Sequence, residues 1–306
     1  MRVLVTGASG FIGNALVIAL GATGHEVRAA LRRPGQFDFP IRVEIVRHAD
    51  LASPIDWMPL LVSVDAVVHL AGIAHVGSDV PDALYDRVNH LATAELAAAA
   101  KRAGVKRFVF ISSIRAQSGP TADHVLTEAD DPRPTDAYGR SKLAAEAAVR
   151  ASGVHFTILR PVLIYGSGVK GNFAALARLA ALPLPLPFAA FRNMRSLLGR
   201  DNLITAVLFV LGNTASSGET NLVADPEPLS VADIIAAVRQ GLGRSPGLLN
   251  VPPSLVHMLL RISGRESLWS RLSGDLVVAP DKLIHAGWRP RSDTRAALAR
   301  IGHERN

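Results

Sequence analysis

The chain has 306 residues, 49% of them hydrophobic, a formal net charge of +7 and no cysteine. The length and apolar content suit a large domain with a smaller lobe, and the lack of cysteine excludes disulfides, thiol catalysis and cysteine-ligated zinc. No apolar run approaches the roughly 18 residues of a transmembrane helix, so we expect a cytoplasmic protein without integral membrane contact. The arginines are scattered, so we expect the positive charge to bind anionic small ligands rather than nucleic acid, with a solvated basic surface as the alternative. No metal is expected.

The first half of the chain alternates short β-branched segments with longer alanine-rich ones. Strands are predicted at Val3–Thr6, Glu26–Leu31, Val43–Val46, Ala66–Leu70, Arg107–Ser112 and His155–Leu159, and helices at Ile12–Ala22, His90–Ala103 and Asp136–Ala151. Alternation at this spacing predicts an α/β fold with a Rossmann-type, doubly wound parallel sheet.

The pattern changes after Arg160-Pro161. Leu182–Pro187 alternates leucine with proline, which a helix interior does not tolerate, so it predicts an extended connector over apolar surface, with membrane contact as the alternative. Helices at Asp201–Leu211 and Val231–Leu242 flank a strand, Glu219–Ala224, that we expect to return to the main sheet. The dinucleotide-binding domain is therefore expected to comprise 1–160 and 200–224, and a smaller, interleaved substrate lobe 161–199 and 225–306.

A glycine-rich turn joins the first predicted strand to the first predicted helix. Its glycines permit a tight turn, close approach of the backbone to a pyrophosphate and close helix–strand packing, while the helix N-terminus offers free amides to phosphate. The expected cradle comprises Gly7, Ser9, Gly10, Phe11, Ile12 and Gly13. The turn thus predicts a dinucleotide site; an ordinary glycine-rich turn is the alternative.

The end of the second strand bears on which dinucleotide binds. An acidic residue there would bind the ribose 2′-hydroxyl of NAD, whereas this chain has Leu31 followed by Arg32 and Arg33. Guanidinium groups suit a 2′-phosphate. NADP(H) is therefore favoured and NAD(H) remains possible, in which case the two arginines are simply solvated.

Tyr138 and Lys142 lie on one face of a predicted helix. A nearby ammonium favours the phenolate, so the tyrosine can exchange a proton near neutral pH, and the lysine can hold the nicotinamide ribose. Ser112 and Ser113 end a predicted strand, where a hydroxyl can hydrogen-bond a substrate oxygen. Together these residues predict a catalytic site, an exposed helix face being the alternative.

These motifs, together with His69–Gly72, Arg160-Pro161 and Tyr165-Gly166, resemble the extended short-chain dehydrogenase/reductases of the NAD-dependent epimerase/dehydratase family. The resemblance covers nearly the whole chain and is closest to UDP-glucose 4-epimerase-like proteins and to 4-keto reductases of UDP-N-acetyl-quinovosamine-type sugars. It implies that Ser113, rather than Ser112, is the third catalytic residue. It also implies a homodimer formed through the helices predicted at His90–Ala103 and Asp136–Ala151.

The same resemblance implies further ligand contacts. Cofactor contacts are expected at Asp50, Leu51, Leu70, Ala71, Gly72 and Asn89, and contacts with the diphosphate of a UDP-sugar at Asn172 and Arg195. The alternatives are a helix cap for Asp50 and for Asn89, a turn glycine at Gly72, a turn asparagine at Asn172 and a surface arginine at Arg195.

Departures from the family pattern narrow the expected reaction. Ile114-Arg115 replace the two acids that sugar 4,6-dehydratases use, and Ala74 and Leu163 replace a lysine and an asparagine of UDP-galactose epimerases. We therefore expect a reductase that transfers a hydride from NADPH to the C4 ketone of a UDP-4-keto (6-deoxy) sugar, with Tyr138 as the proton donor. A UDP-sugar 4-epimerase and a non-catalytic NADP-binding regulator are the alternatives.

Overall fold

A seven-stranded parallel sheet forms the centre of the fold. The computed structural model describes residues 1–33, 35, 39, 43–74, 80–169, 171–264, 266 and 269–303, with the backbone alone at Asn172, Ser270 and Arg271. The strands are β1 (Arg2–Thr6), β2 (Glu26–Leu31), β3 (Val43–Arg47), β4 (Ala66–His69), β5 (Arg107–Ile111), β6 (Phe156–Pro161), β7 (Leu163–Tyr165), β8 (Met194–Arg195), β9 (Leu197–Gly199), β10 (Thr220–Val223) and β11 (Leu229–Ser230). The sheet order is β10-β6-β5-β4-β1-β2-β3, with every neighbouring pair parallel. The order reverses beside β1, as in Rossmann folds, so the predicted fold class is confirmed.

Helices cover both faces of this sheet and also form much of the second half of the chain. They are α1 (Phe11–Ala22), α2 (Asp82–Tyr85), α3 (Ala92–Arg102), α4 (Ala137–Ala151), α5 (Asn172–Ala180), α6 (Arg200–Gly212), α7 (Val231–Gly241), α8 (Pro253–Ile262), α9 (Trp269–Leu272), α10 (Asp281–His285) and α11 (Thr294–His303), with 3₁₀ turns at Met58–Leu61 and Ile114–Ala116. A π-helical segment, Asp86–Leu91, joins α2 to α3. The helix predicted to begin at His90 is in fact the end of the π-helical segment followed by α3, so its predicted start was wrong. Hydrophobic periodicity carries no signal for the wider π turn.

Two apolar layers hold the helices to the sheet. Leu16 and Leu20 of α1 pack with Val207 of α6 on one face. On the other face, Leu96 of α3 packs with Val149 of α4 among many alanines. Small side chains allow α3 and α4 to lie close to the strands, which places the start of α4 beside the carboxyl end of β5.

A third apolar cluster lies outside the sheet, in the second half of the chain. It includes Phe173 of α5, Phe191, Ile235 of α7 and Leu298 of α11. Two short ladders, β7 with β9 and β8 with β11, accompany it. Between α5 and α7 the chain returns to the main sheet, where β10 pairs with β6. The exact domain limits stay a prediction.

The leucine-proline segment Leu182–Pro187 contains no helix, as predicted. The buried Arg239 guanidinium on α7 donates five hydrogen bonds to backbone carbonyls in and near this segment. The acceptors are the carbonyls of Ala180, Leu182, Leu184, Pro246 and Gly247. Proline has no backbone N–H to donate, and Arg239 supplies hydrogen bonds to this segment that a neighbouring strand would otherwise provide. Within the described residues, no helix has the length and apolarity needed to cross a bilayer.

Candidate active site

Two glycines of the turn after β1, Gly7 and Gly13, have no room for a side chain. Gly7 has φ +70°, and a Cβ there would lie 2.8 Å from the Ala71 nitrogen. A Cβ on Gly13 would collide with the Gly7 carbonyl and lie 2.8 Å from the Ala8 Cα. α1 begins at Phe11, and its N-cap residue Gly10 has no side chain to cap it, so within the described part of the chain no side-chain cap satisfies the amides of the first turn. An uncapped helix N-terminus behind a bare backbone turn fits the pyrophosphate of a dinucleotide.

The turn after β4 lies beside the glycine turn, and hydrogen bonds from Asn89 fix its position. The buried Asn89 amide accepts a hydrogen bond from the Ile73 N–H (2.8 Å) and donates to the Ile73 carbonyl (3.0 Å) and to the Ser141 hydroxyl (3.2 Å). The Ser141 hydroxyl in turn donates to the Tyr138 carbonyl, 2.8 Å away. Asn89 lies within the π-helical segment Asp86–Leu91, so it does not cap a helix. It joins the Gly72–Ile73 turn to the start of α4.

A buried chain of hydrogen bonds determines which nitrogen of His69 carries the proton. The Ala71 N–H donates to Thr6 Oγ1 (3.3 Å), which lies 2.7 Å from His69 Nδ1. On the other side, His69 Nε2 lies 2.9 Å from Thr93 Oγ1, whose hydroxyl donates to the Asn89 carbonyl (2.6 Å). Since the Thr93 proton is already used, the imidazole must donate from Nε2 and accept at Nδ1. Burial, aided by the Lys142 charge, lowers the pKa of His69 to about 3, so the ring is neutral.

Tyr138, Ser113 and Lys142 come together where β5 ends and α4 begins. Asp136 caps α4 through the Gly139 N–H (2.7 Å), and a Cβ on Gly139 would collide with the Arg115 carbonyl. This close contact places the half-buried Tyr138 beside Ser113. Burial raises the pKa of Tyr138, and its hydrogen bond with Ser113 opposes that rise.

Lys142 is buried one helical turn beyond Tyr138. Its Nζ donates to the Ile111 carbonyl (3.0 Å) and lies 4.8 Å from the centre of the Phe110 ring. Burial lowers the pKa of Lys142 to about 8, and the negative charge of Glu146 opposes this shift. The ammonium thus keeps its proton at neutral pH but releases it readily above, which suits a group that tunes proton exchange.

The two serines at the end of β5 have different partners. Ser112 donates to Glu146 (2.6 Å), a fully buried carboxylate that also binds Arg160 through both oxygens (2.7 and 2.8 Å). Ser113 accepts a hydrogen bond from the Arg115 N–H (3.1 Å) and lies beside Tyr138, where its hydroxyl opposes the burial-driven rise in the pKa of that tyrosine. Ser112 is thus engaged in the core, whereas Ser113 lies next to the tyrosine. The catalytic role of Ser113 remains a prediction.

The residues predicted at the adenosine end form an ion pair. Arg32 Nη1 lies 3.0 Å from Asp50 Oδ2, with both side chains about half exposed, and Arg33 is exposed. Asp50 also accepts the Ala52 N–H (3.0 Å), so it caps a turn rather than a helix. Leu51 is buried beside this pair. The geometry leaves the preference between NAD and NADP as a prediction.

The predicted substrate contacts lie in the second half of the chain. Arg195 on β8 is half-buried; it donates to the carbonyls of Pro120 (3.0 Å) and Ser273 (2.9 Å), while its Nε is buried without a hydrogen-bond partner in the described structure. Burial lowers its pKa. Asn172 begins α5, but its side chain lies outside the described atoms. In the described ranges, no three histidine, aspartate or glutamate side chains gather as a metal site would require.

A parallel sheet with a bare glycine turn, and a Ser-Tyr-Lys group beside it, defines an oxidoreductase of the short-chain dehydrogenase/reductase type. Residues 3–224 match the model of the NAD dependent epimerase/dehydratase family, and the chain belongs to that family.

Relatives within the family include both epimerases and reductases. The chain is 33% identical over 299 residues to a UDP-glucose 4-epimerase of Vibrio cholerae, covering 94% of this chain and 90% of that protein. It is 32% identical over 263 residues to a 2'-dehydrokanamycin reductase of Streptomyces kanamyceticus, covering 82% and 70%. A solved structure, MoeE5 in complex with UDP-glucuronic acid and NAD, matches 100% of this chain and 99% of that chain with a TM-score of 0.78 and 27% identity.

Proposed function

We propose that this protein is a UDP-sugar 4-epimerase that oxidises and then re-reduces C4 of a UDP-linked hexose. The observation that carries the proposal is the grouping of Tyr138, Ser113 and the buried Lys142 at the start of α4, beside a glycine turn that fits a dinucleotide. The near full-length similarity to a UDP-glucose 4-epimerase, and the UDP-sugar and NAD bound by the structural relative, support this choice of substrate and cofactor.

The side chains have distinct roles in this reaction. A bound nicotinamide dinucleotide would take up a hydride from C4 and return it. Tyr138 would accept the proton of the C4 hydroxyl and give it back, while Ser113 holds the same oxygen by a hydrogen bond. Lys142, charged at neutral pH, would favour the phenolate of Tyr138. For the diphosphate of the substrate, Arg195 offers a guanidinium to which no carboxylate of the described residues is hydrogen-bonded.

The second candidate is the 4-keto reductase using NADP(H). Arg32 and Arg33 favour it, since they follow Leu31 where an acid would select NAD. The Arg32–Asp50 pair is about half exposed, and such pairs are worth only about 0–1 kcal/mol, so a 2′-phosphate could displace Asp50 at small cost. The 2'-dehydrokanamycin reductase relative shows that reductases occur among similar proteins.

Cofactor extraction and product analysis separate the two candidates. The purified protein is incubated with UDP-glucose or UDP-galactose, products are followed by NMR, and the released dinucleotide is identified by mass spectrometry. Interconversion of the sugars with retained NAD and no net reduction is expected for the epimerase. Stoichiometric oxidation of NADPH by a UDP-4-keto sugar, without interconversion, would instead establish the reductase. Tight NADP binding with neither reaction would refute both and favour a regulator.

We also propose that the protein forms a homodimer through α3 and α4, as the family resemblance implies. Ala94 and Ala98 on α3, and Ala144 and Ala147 on α4, are at least partly exposed, so two copies could approach closely there. Light scattering after gel filtration should give twice the mass of the 32.4 kDa chain. Ala147→Arg should return the mass to that of one chain; a monomeric wild type would contradict the proposal.

A further inference from the structure

The outer side of α8 is apolar although it is exposed to solvent. Its exposed residues recur at positions i, i+3, i+4 and i+7 and are Leu255, Met258, Leu259 and Ile262, which we call the α8 face. Leu259 is 61% exposed and Ile262 is 74% exposed. The opposite side of the helix, through Val256 and Leu260, already packs against the third apolar cluster. Folding of this lobe therefore requires only the inner side, and the α8 face is left without a partner in the described structure.

Neighbouring chain adds to this apolar surface. Leu182 and Leu184 of the proline-rich connector are exposed, and so is Leu249, just before α8. The connector and the segment before α8 are tied together, because Leu186 donates to the Gly247 carbonyl (2.9 Å) and Leu249 donates to the Leu186 carbonyl (2.8 Å). Arg239 also donates hydrogen bonds to both segments, so the backbone that carries the exposed leucines is fixed in place.

The chain that leads into α8 and the proline-rich connector are rich in arginine and poor in acidic residues. No aspartate or glutamate occurs from 171 to 200 or from 234 to 265. Within these stretches Arg178, Arg192, Arg244 and Arg261 are exposed. The nearest acid after α8, Glu266, lies 3.6 Å from His257 Nε2. An apolar helix face flanked by arginines is complementary to a surface that is anionic outside and apolar beneath.

We propose that the α8 face rests on an anionic lipid surface. Leucine, methionine and isoleucine side chains would enter the boundary between headgroups and acyl chains, while the arginines bind lipid phosphates. A second copy of the chain fits less well, because stacking two α8 faces would bring the two sets of arginines together. The docking is peripheral, and it does not depend on which reaction the active site performs.

Vesicle co-sedimentation tests the proposal. The full chain is mixed with phosphatidylcholine vesicles with or without phosphatidylglycerol, in the absence of any sugar nucleotide. Binding is expected only to the anionic vesicles. Leu259→Gln combined with Ile262→Gln should weaken it about tenfold or more, since each buried aliphatic side chain is worth about 1.5–3 kcal/mol. Arg261→Gln should weaken it about fivefold, because one arginine near an anionic surface contributes about 1 kcal/mol.

Val62→Gln is the matched control, because Val62 is 62% exposed and lies at the end of a 3₁₀ turn far along the chain from α8. It should bind vesicles as the wild type does, and every variant should keep the wild-type melting temperature. No binding to anionic vesicles, or binding that the α8 substitutions leave unchanged, would overturn the proposal. Self-association that the α8 substitutions abolish, without vesicle binding, would overturn it in favour of a second copy.

Discussion

The hydrogen-bond chain through His69 can be broken at one atom with Thr93→Val. Valine has nearly the shape of threonine but cannot accept from His69 Nε2 or donate to the Asn89 carbonyl. A switch of tautomer does not rescue the ring: if Nδ1 donated to Thr6, the Thr6 hydroxyl proton would lose its acceptor. The substitution therefore leaves a buried donor without a partner whichever nitrogen carries the proton.

The cost of Thr93→Val follows from these two lost bonds. An unpaired buried donor costs about 1–3 kcal/mol, and the lost bond to the Asn89 carbonyl adds about 1 kcal/mol. We expect the free energy of unfolding to fall by about 2–4 kcal/mol. Thr93→Ser keeps the hydroxyl and removes one buried methyl, so it should cost only about 1 kcal/mol.

Urea denaturation followed by circular dichroism measures both variants. If Thr93→Val costs no more than Thr93→Ser, the proposed direction of the hydrogen bonds is wrong. Because Asn89 and Ala71 adjoin the expected cofactor site, the same variant should also bind the dinucleotide more weakly in calorimetry. Unchanged affinity together with normal stability would refute the link between His69 and that site.

Acidic pH provides an independent test of the neutral His69. The unfolded chain binds a proton at this ring near the ordinary pKa of 6.5, whereas the folded chain does so only near 3. Stability from this group is therefore fully present above about pH 6.5 and is lost as pH falls, by about 2 kcal/mol between pH 7 and 5. His69→Asn should show that much less acid sensitivity over the same interval; equal acid sensitivity would contradict the assigned pKa.

Three further substitutions test the site. Tyr138→Phe should lower kcat by about 10²–10⁴-fold while calorimetry shows unchanged dinucleotide binding, and full activity would exclude the proton-transfer role. Glu146→Gln should cost about 3–5 kcal/mol in urea denaturation because it leaves buried cations unpaired, and should move the alkaline limb of the pH–rate profile to lower pH because Glu146 raises the pKa of Lys142; an unmoved limb would separate Lys142 from catalysis. Gly13→Ala should abolish dinucleotide binding, because the added Cβ collides with the turn. Gly212→Ala is the control, because a Cβ there has open space around it. Equal dinucleotide binding by both variants would refute the assignment of the glycine turn as the dinucleotide site.

Some of the site could be read from local sequence alone. The spacing of Gly7, Gly10 and Gly13 between a strand and a helix, and the four-residue interval from Tyr138 to Lys142, are properties of one turn and one helix. The roles of the two adjacent serines could not be derived in this way. Ser112 and Ser113 differ only in which side of the strand end they point to, and α4 decides which of them contacts Tyr138 and which contacts Glu146.

The sequence by itself determined the alternating strands and helices of the first half of the chain, because alternation of apolar runs with turn residues is a local property. Tertiary structure decided what depends on distant segments meeting. Thr6, His69 and Thr93 form one hydrogen-bond chain only because β1, β4 and α3 pack together, and the pKa of His69 follows from that burial. Likewise, α8 is visibly apolar in sequence, but only packing against the third cluster determines that Val256 is buried and Ile262 faces the solvent.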